Sequence, residues 1–187
     1  NLNVKTVLNK KCALQVSLFY KNKLICSEEI KHCRKENRIN FTSLSVKEWS
    51  AEIPNLYTLV LTLKNGDRTV ETVGKKIGFK HIEIKGNVFY FNNKPIKLLG
   101  VNHHDTNPKT GYYMTVKDME KDVKLFKQYN MNCVRTSHYP PDPVFLDLCD
   151  KYGIYVIDEA DIECHGVARI PELRGSVSHN SEWTVHF

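Results

Sequence analysis

The clearest pointer to the architecture is the segment Ile154-Tyr155-Val156-Ile157-Asp158-Glu159-Ala160-Asp161-Ile162-Glu163-Cys164-His165-Gly166. An apolar run is followed at once by several carboxylates and an imidazole. Such groups are costly at the end of a buried strand unless a ligand, a metal or a partner charge compensates them. The segment therefore predicts a buried strand with a functional site at its carboxyl end.

Two amphipathic helices are predicted upstream of this strand. Asp142 offers an N-cap followed by Pro143 at the first helical position, and Gly153 ends that helix. Thr115, with Asp118 three residues later, has the spacing of a capping box and opens the other helix. Strand-like segments precede each helix, at residues 96–101 and at residues 133–136.

The predicted order from residue 96 to residue 163 is strand, helix, strand, helix, strand. This alternation implies parallel strands joined by right-handed crossovers. Parallel α/β folds place their chemistry at the carboxyl ends of the strands. The spacing fits both a (β/α)8 barrel and a flavodoxin-like open sheet. Polar clusters follow the three strands: Asn102/His103/His104, Arg135/Ser137/His138 and Asp158/Glu159/Glu163/His165.

The first eighty residues carry a different pattern. Apolar residues alternate with polar ones from Leu14 to Tyr20 and again from Tyr57 to Leu63, and Asn65-Gly66 is a strong hairpin turn. This pattern predicts an antiparallel β-sandwich over residues 1–80, followed by an α/β domain over residues 81–187. Trp49 and Tyr57 are expected in the sandwich core rather than on a sugar.

Composition excludes several classes of protein. The net charge is +6, but the lysines are scattered and no aromatic-basic stripe accompanies them, so we expect no nucleic-acid partner. No apolar run approaches the length needed to cross a membrane. The six cysteines lack the spacing of a disulfide framework, which favours reduced thiols and a cytoplasmic location. A complete (β/α)8 barrel needs about 250 residues, so 187 residues predict an incomplete one.

Five ordered motifs together resemble glycoside hydrolase family 2, and within it the large bacterial β-galactosidases. They are residues 49–57, Gly78-Phe79, residues 100–105, residues 135–140 and residues 158–166. The resemblance covers residues 1 to about 167. It implies an immunoglobulin-like β-sandwich followed by the first three strand-helix units of an incomplete (β/α)8 barrel.

The resemblance also implies an activity, the retaining hydrolysis of terminal β-D-galactosides. Family members place their two catalytic glutamates on later strands, so this chain would lack both and depend on the remainder of the parent polypeptide. The full-length enzyme is expected to be a homo-oligomer. Two alternatives stay open: a β-glucuronidase or β-mannosidase relative, and a non-catalytic carbohydrate-binding or assembly fragment.

Glu163 and His165 are the candidate metal ligands. They are two residues apart, so on an extended segment both side chains leave the same face while Cys164 points away. One oxygen and one nitrogen ligand could then reach a common cation. The resemblance implies Mg²⁺ bound by the matching glutamate and histidine, and carboxylate-rich coordination suits Mg²⁺ or Mn²⁺ better than Zn²⁺.

The other site residues follow from the resemblance. It assigns His104 and His138 to sugar hydroxyls and places Arg135 beside the missing nucleophile, while Asn102 either faces the sugar or caps the strand end. An arginine inside a strand also needs a carboxylate partner. Many relatives carry arginine at the position of His103. Asp158 and Glu159 are adjacent in a strand and point to opposite faces, so they are not expected to form the catalytic pair.

Overall fold

The computed structural model describes residues 1–173 and 175–186. The chain divides into two compact units, Asn1–Lys97 and Leu98 onward. In the described residues the first unit contains strands alone, and the helices all lie in the second. The expected domain boundary between residues 80 and 81 stays a prediction.

The first unit is built from antiparallel sheets. A sheet of four strands has the order β3-β2-β5-β6, β1 pairs with β4, and β7, β8 and β9 form a small meander. Gly66 takes a left-handed φ of 57° in the turn between β5 and β6, as the Asn-Gly signal predicts. The strands are β1 (Leu2–Val7), β2 (Ala13–Tyr20), β3 (Lys23–Ile30), β4 (Glu36–Phe41), β5 (Tyr57–Asn65), β6 (Arg68–Ile77), β7 (Ile82–Lys85), β8 (Val88–Phe91) and β9 (Lys94–Pro95).

Alternating apolar side chains form the core between these sheets. Leu14 and Val16 of β2 are fully buried against Ile39 and Phe41 of β4. The two sheets thus pack face to face, and the predicted β-sandwich is confirmed. Trp49 and Tyr57 are both buried, as expected for core residues.

The second unit alternates strands and helices. Its strands β10 (Gly100–His103), β11 (Cys133–Thr136) and β12 (Tyr155–Ile157) pair in parallel in that order. Helix α1 (Val116–Gln128) connects the first two strands, α2 (Pro143–Tyr152) connects the next two, and the short α3 (His165–Ala168) follows β12. The predicted strand-helix alternation is confirmed.

Local capping explains where both long helices begin and end. Thr115 and Asp118 form the complete capping box of α1. Asp142 accepts a hydrogen bond from the Val144 backbone at the start of α2, and Gly153 ends that helix with a left-handed φ of 76°. These predictions from sequence are confirmed.

The two helices are also tied to each other at their surface. The Tyr152 hydroxyl and the Lys151 ammonium of α2 both donate hydrogen bonds to the Glu120 carboxylate of α1. These bonds lower the pKa of Glu120 to about 2. Val123, Val134, Phe145 and Ile154 are fully buried between the helices and the parallel sheet.

The apolar pattern predicted a start for the first parallel strand that is too early in the sequence. The prediction put it at residues 96–101, but β10 begins at Gly100. The Ile96 N–H donates to the Phe89 carbonyl of the meander, and the Leu99 N–H donates to the Asn132 side chain, so bonding to β11 begins only at the Leu99 carbonyl, which accepts the Cys133 N–H. The apolar residues therefore identified the region of the strand, but hydrogen bonding to the neighbouring strand determined where the strand begins. Among the described residues, no helix is long and apolar enough to cross a membrane.

Candidate active site

A cluster of polar side chains lies at the carboxyl ends of the parallel strands, with Arg135 at its centre. The Arg135 Nε donates a hydrogen bond to Glu159 Oε1. Its terminal nitrogens lie 3.4 Å from Asn102 Oδ1 and 3.3 Å from His138 Nδ1. His138 Nδ1 is also 3.0 Å from Glu159 Oε2, so each carboxylate oxygen has a partner. One guanidinium thus joins Asn102 of β10 with His138 and Glu159, which follow β11 and β12.

Parallel register explains how these residues meet. Arg135 of β11 is paired with Asn102 of β10 on one side and with Ile157 of β12 on the other. Side chains two residues apart share a face of an extended chain, so Glu159 follows Ile157 toward the face of Arg135. Thr136 faces the other way, and its hydroxyl donates to Asp158 Oδ1 at 3.2 Å. The expectation that Asp158 and Glu159 point to opposite faces is thus confirmed.

The electrostatics of the cluster keep Glu159 ionised. Burial of its carboxyl opposes ionisation, but the hydrogen bonds and charges of Arg135 and His138 outweigh that effect and lower the pKa of Glu159. The Glu159 side chain is 22% exposed, so this ion pair is partly screened from solvent. Arg135 therefore has the carboxylate partner that its position in a strand requires.

His104 and His138 lie side by side on the open face of this cluster. Their ring centroids are 5.7 Å apart in an edge-to-face arrangement. His104 Nδ1 is 3.3 Å from the Tyr139 hydroxyl, and that hydroxyl also accepts the Asp105 backbone N–H at 3.2 Å. Both imidazoles keep part of their surface open to solvent, where neutral rings can donate and accept hydrogen bonds.

His103 points away from the site because side chains alternate along β10. Its ring stacks on Phe145 of α2 at a centroid distance of 4.7 Å and an angle of 13°. His103 Nε2 is 3.1 Å from Asp122 Oδ2, and Nδ1 is 3.6 Å from Asp105 Oδ1. The side chain is only 9% exposed, so His103 anchors the segment that carries Asn102 and His104 to both helices.

Glu163 and His165 meet, although not on an extended segment as predicted. Glu163 Oε1 is 3.2 Å from His165 Nδ1, and the side chains are 38% and 61% exposed. The extended-segment prediction is wrong because His165 is the first residue of helix α3. Cys164 is the N-cap of this helix, and its carbonyl accepts the N–H groups of Val167 and Ala168. Turn formation, rather than strand alternation, brings the two side chains together.

As metal ligands, the pair offers one oxygen and one nitrogen donor. In the part of the chain that the structure describes, no group of three or more His, Cys, Asp or Glu side chains is arranged to hold a metal ion. A pair on its own suits a hard divalent cation only when further oxygen ligands join it. In the described residues, Glu163 and His165 alone therefore do not complete a metal site.

The sequence analysis placed Glu159 among the polar residues after the third strand and Tyr139 within a family motif, but it assigned neither of them a role in the cluster. A signal for Glu159 was available, since a strand arginine needs a carboxylate and residue 159 shares the face of residue 157. Tyr139 carried no comparable signal. Its contact with His104 depends on how the segment after β11 folds back toward β10.

Curated relatives named β-galactosidase match this chain over most of its length. The protein from Actinobacillus pleuropneumoniae is 42% identical over 79% of this chain and 14% of its own length. The one from Streptococcus thermophilus is 47% identical over 70% of this chain and 13% of its own length. The one from Priestia megaterium is 51% identical over 65% of this chain and 12% of its own length. The chain thus spans only 12 to 14% of the length of these relatives.

Solved structures share the fold. A β-glucuronidase from Parabacteroides merdae superposes with a TM-score of 0.73 at 28% identity, covering 82% of this chain and 20% of that one. A glycosyl hydrolase family 2 member from Bacteroides cellulosilyticus superposes with a TM-score of 0.74 at 26% identity, covering 84% of this chain and 24% of that one.

Family comparison covers both units of the chain. The description "Glycosyl hydrolases family 2" applies to residues 1–80, and "Glycosyl hydrolases family 2, TIM barrel domain" applies to residues 82–187. The polar cluster at the ends of parallel strands lies in the second of these regions. This chain therefore belongs to glycosyl hydrolases family 2.

Proposed function

We propose that this chain is part of a retaining β-galactosidase that hydrolyses terminal β-D-galactosides. The observation that carries the proposal is the cluster of Asn102, His104, Arg135, His138 and Glu159 at the carboxyl ends of parallel strands, where barrel enzymes hold their substrates. Relatives 42 to 51% identical to this chain are named β-galactosidase. The substrate preference and the retaining mechanism are carried over from that similarity.

In this proposal His104, His138 and Asn102 position the sugar. Their polar atoms surround the open face of the cluster, and each can exchange hydrogen bonds with a ring hydroxyl. Such bonds contribute most when they strengthen as the sugar ring distorts toward an oxocarbenium-like transition state. Substrate binding and transition-state stabilisation would thus share the same side chains.

Arg135 would support the nucleophile through its fixed positive charge. A guanidinium beside a carboxylate favours the ionised form that a nucleophile needs. Glu159 occupies one edge of the Arg135 guanidinium and fixes its orientation, so we assign Glu159 as a positioning residue rather than as the nucleophile. The nucleophile and the acid/base would be supplied by glutamates outside this chain.

Glu163 and His165 would hold Mg²⁺, or Mn²⁺, together with ligands from outside the described residues. Their adjacent oxygen and nitrogen atoms support this assignment. The bound cation would supply charge stabilisation on the acid side of the reaction.

The isolated chain is expected to hydrolyse nitrophenyl β-D-galactoside only at the background rate. Retaining glycosidases need two carboxyl groups about 5 Å apart. Asp158 and Glu159 point to opposite faces and contact different partners, so they do not form such a pair. The measurement is absorbance with Mg²⁺ present, with the full-length enzyme as positive control. The proposal would be contradicted if the isolated chain hydrolysed the substrate and the Glu159→Gln substitution abolished that activity.

A second expectation concerns the metal in the full-length enzyme. Glu163→Gln should raise the Mg²⁺ concentration needed for half-maximal activity by about tenfold or more, because an anionic ligand becomes a neutral one. Cys164→Ser is the matched control and should leave that concentration nearly unchanged. Isothermal titration with Mg²⁺ gives a readout that does not depend on activity. Weaker Mg²⁺ binding in the cysteine variant but not in the glutamate variant would refute the ligand assignment.

A β-glucuronidase is the second candidate, because solved β-glucuronidases share the fold at 25 to 28% identity. Nitrophenyl galactoside, glucuronide and mannoside offered to the full-length enzyme separate these activities by their kcat/KM values. We expect the galactoside to be preferred. Binding of galactose without turnover of any of the three would instead favour a non-catalytic carbohydrate-binding role.

A further inference from the structure

Cys12 and Cys33 form a close pair at the open end of a β-hairpin. Cys12 directly precedes β2 and Cys33 follows β3, the antiparallel partner of β2. The Cys33 backbone N–H donates a hydrogen bond to the Cys12 carbonyl at 3.0 Å. This bond holds the two backbones next to each other just beyond the ends of β2 and β3, as the short Cα separation of a disulfide requires.

Their side chains also face one another. Cys33 is buried in the sandwich core, and Cys12 is partly buried against the same apolar cluster. The Cys12 side chain is within hydrogen-bonding reach of the Cys33 thiol, and burial, together with Cys12, raises the pKa of Cys33. Cys12 is therefore the more accessible of the two thiols, and Cys33 is a protonated neighbour held beside it.

A basic cavity gives small molecules access to this pair. Its volume is about 630 Å³, and both cysteines line it together with Lys11, Lys31 and Lys64. Positive charge around a thiol favours the approach of anionic reagents and stabilises the thiolate that forms during exchange. The surroundings thus suit a small anionic disulfide as co-reactant.

We propose that Cys12 and Cys33 are a modification site that takes up an intramolecular disulfide reversibly, by exchange with a low-molecular-weight anionic disulfide. This site lies in the first unit and is independent of the proposed glycosidase activity. All six cysteines are free thiols in the structure, which is the reduced form of the site.

The exchange proceeds in two steps. The Cys12 thiolate attacks one sulfur of the small disulfide, a mixed disulfide forms, and one small thiolate leaves with its electron pair. Cys33 then loses its proton and attacks the Cys12 sulfur, which releases the second small thiolate. The protein dithiol is oxidised by two electrons, the small disulfide is reduced to two thiols, and the protons from Cys12 and Cys33 pass to those thiols.

The test exposes the folded chain to oxidised glutathione, blocks the remaining thiols and digests the chain with trypsin. Cleavage after Lys11, Lys21, Lys31 and Arg34 places Cys12 and Cys33 in separate peptides, residues 12–21 and residues 32–34, neither of which contains another cysteine. We expect mass spectrometry to find these two peptides joined, and dithiothreitol to separate them. Cross-linking should raise the Tm of the first unit by about 5 °C or more, because it closes a loop of about 20 residues.

Matched variants make the result specific. Cys33→Ser should leave glutathione attached to Cys12, Cys12→Ser should abolish the joined peptides, and Cys164→Ser should change neither, although Cys164 is exposed. A chain unfolded in urea should yield far fewer joined peptides than the folded chain. Glutathione remaining on Cys12 in the unaltered chain, or equal joining in folded and unfolded chains, would overturn the proposal.

Discussion

Replacing Arg135 with leucine in the full-length enzyme is expected to lower kcat by about 100-fold or more, while KM changes only a few-fold. The guanidinium acts on the nucleophile and not on the sugar, so its loss raises the barrier more than it weakens substrate binding. Leucine also leaves the Glu159 carboxylate without its guanidinium partner and removes the contact between Arg135 and His138. Steady-state kinetics with nitrophenyl galactoside measures both constants.

Two further variants separate this role from a structural one. Arg38→Leu removes an exposed strand arginine from the sandwich and should leave kcat unchanged. Glu159→Gln keeps the shape of the side chain but not its charge, so it should reduce kcat less than Arg135→Leu and shift the acidic limb of the pH–rate profile. An unchanged kcat in Arg135→Leu would remove this arginine from the active site.

Replacing Phe145 with alanine is expected to destabilise the second unit by about 3–5 kcal/mol. Phe145 is fully buried and its ring stacks on His103, so its loss opens a cavity and frees the anchor of β10. Domains have total stabilities of only about 5–15 kcal/mol, so this is a large fraction. Urea unfolding followed by ellipticity at 222 nm reports this unit, since the helices of the described residues all lie in it.

Val144 provides the matched control, because it is the neighbouring residue in α2 and is 36% exposed. Val144→Ala should change the free energy of unfolding by about 1 kcal/mol or less, since little apolar surface is lost and alanine favours the helix. If Phe145→Ala does not fold, Phe145→Leu should still unfold at a lower urea concentration than Val144→Ala. Equal midpoints for the Phe145 and Val144 variants would contradict the assigned packing role.

Short sequence motifs predicted the helices and strands because the interactions that form these elements involve residues only a few positions apart. The capping box of Thr115 and Asp118 and the Gly153 cap are complete inside single helices, so sequence spacing was enough to predict both helices. The alternation through β2 predicted a buried face for the same reason. The strand-end rule and the family motifs then singled out Asn102, His104, Arg135 and His138, which the structure gathers into one cluster.

Tertiary structure decided which side chains contact each other, because contacts between residues far apart in the sequence depend on strand register and on how the loops fold. Glu159 meets Arg135 only because β12 pairs with β11 in one parallel register, and a shift of one residue would send its carboxylate to the opposite face. The start of β10 was set by its pairing with β11, not by the apolar residues before it. Cys12 and Cys33 became neighbours through the β2–β3 hairpin, although 20 residues separate them in the printed sequence. The separation of two such residues in the sequence does not give their distance in space, because that distance depends on the path that the folded chain takes between them.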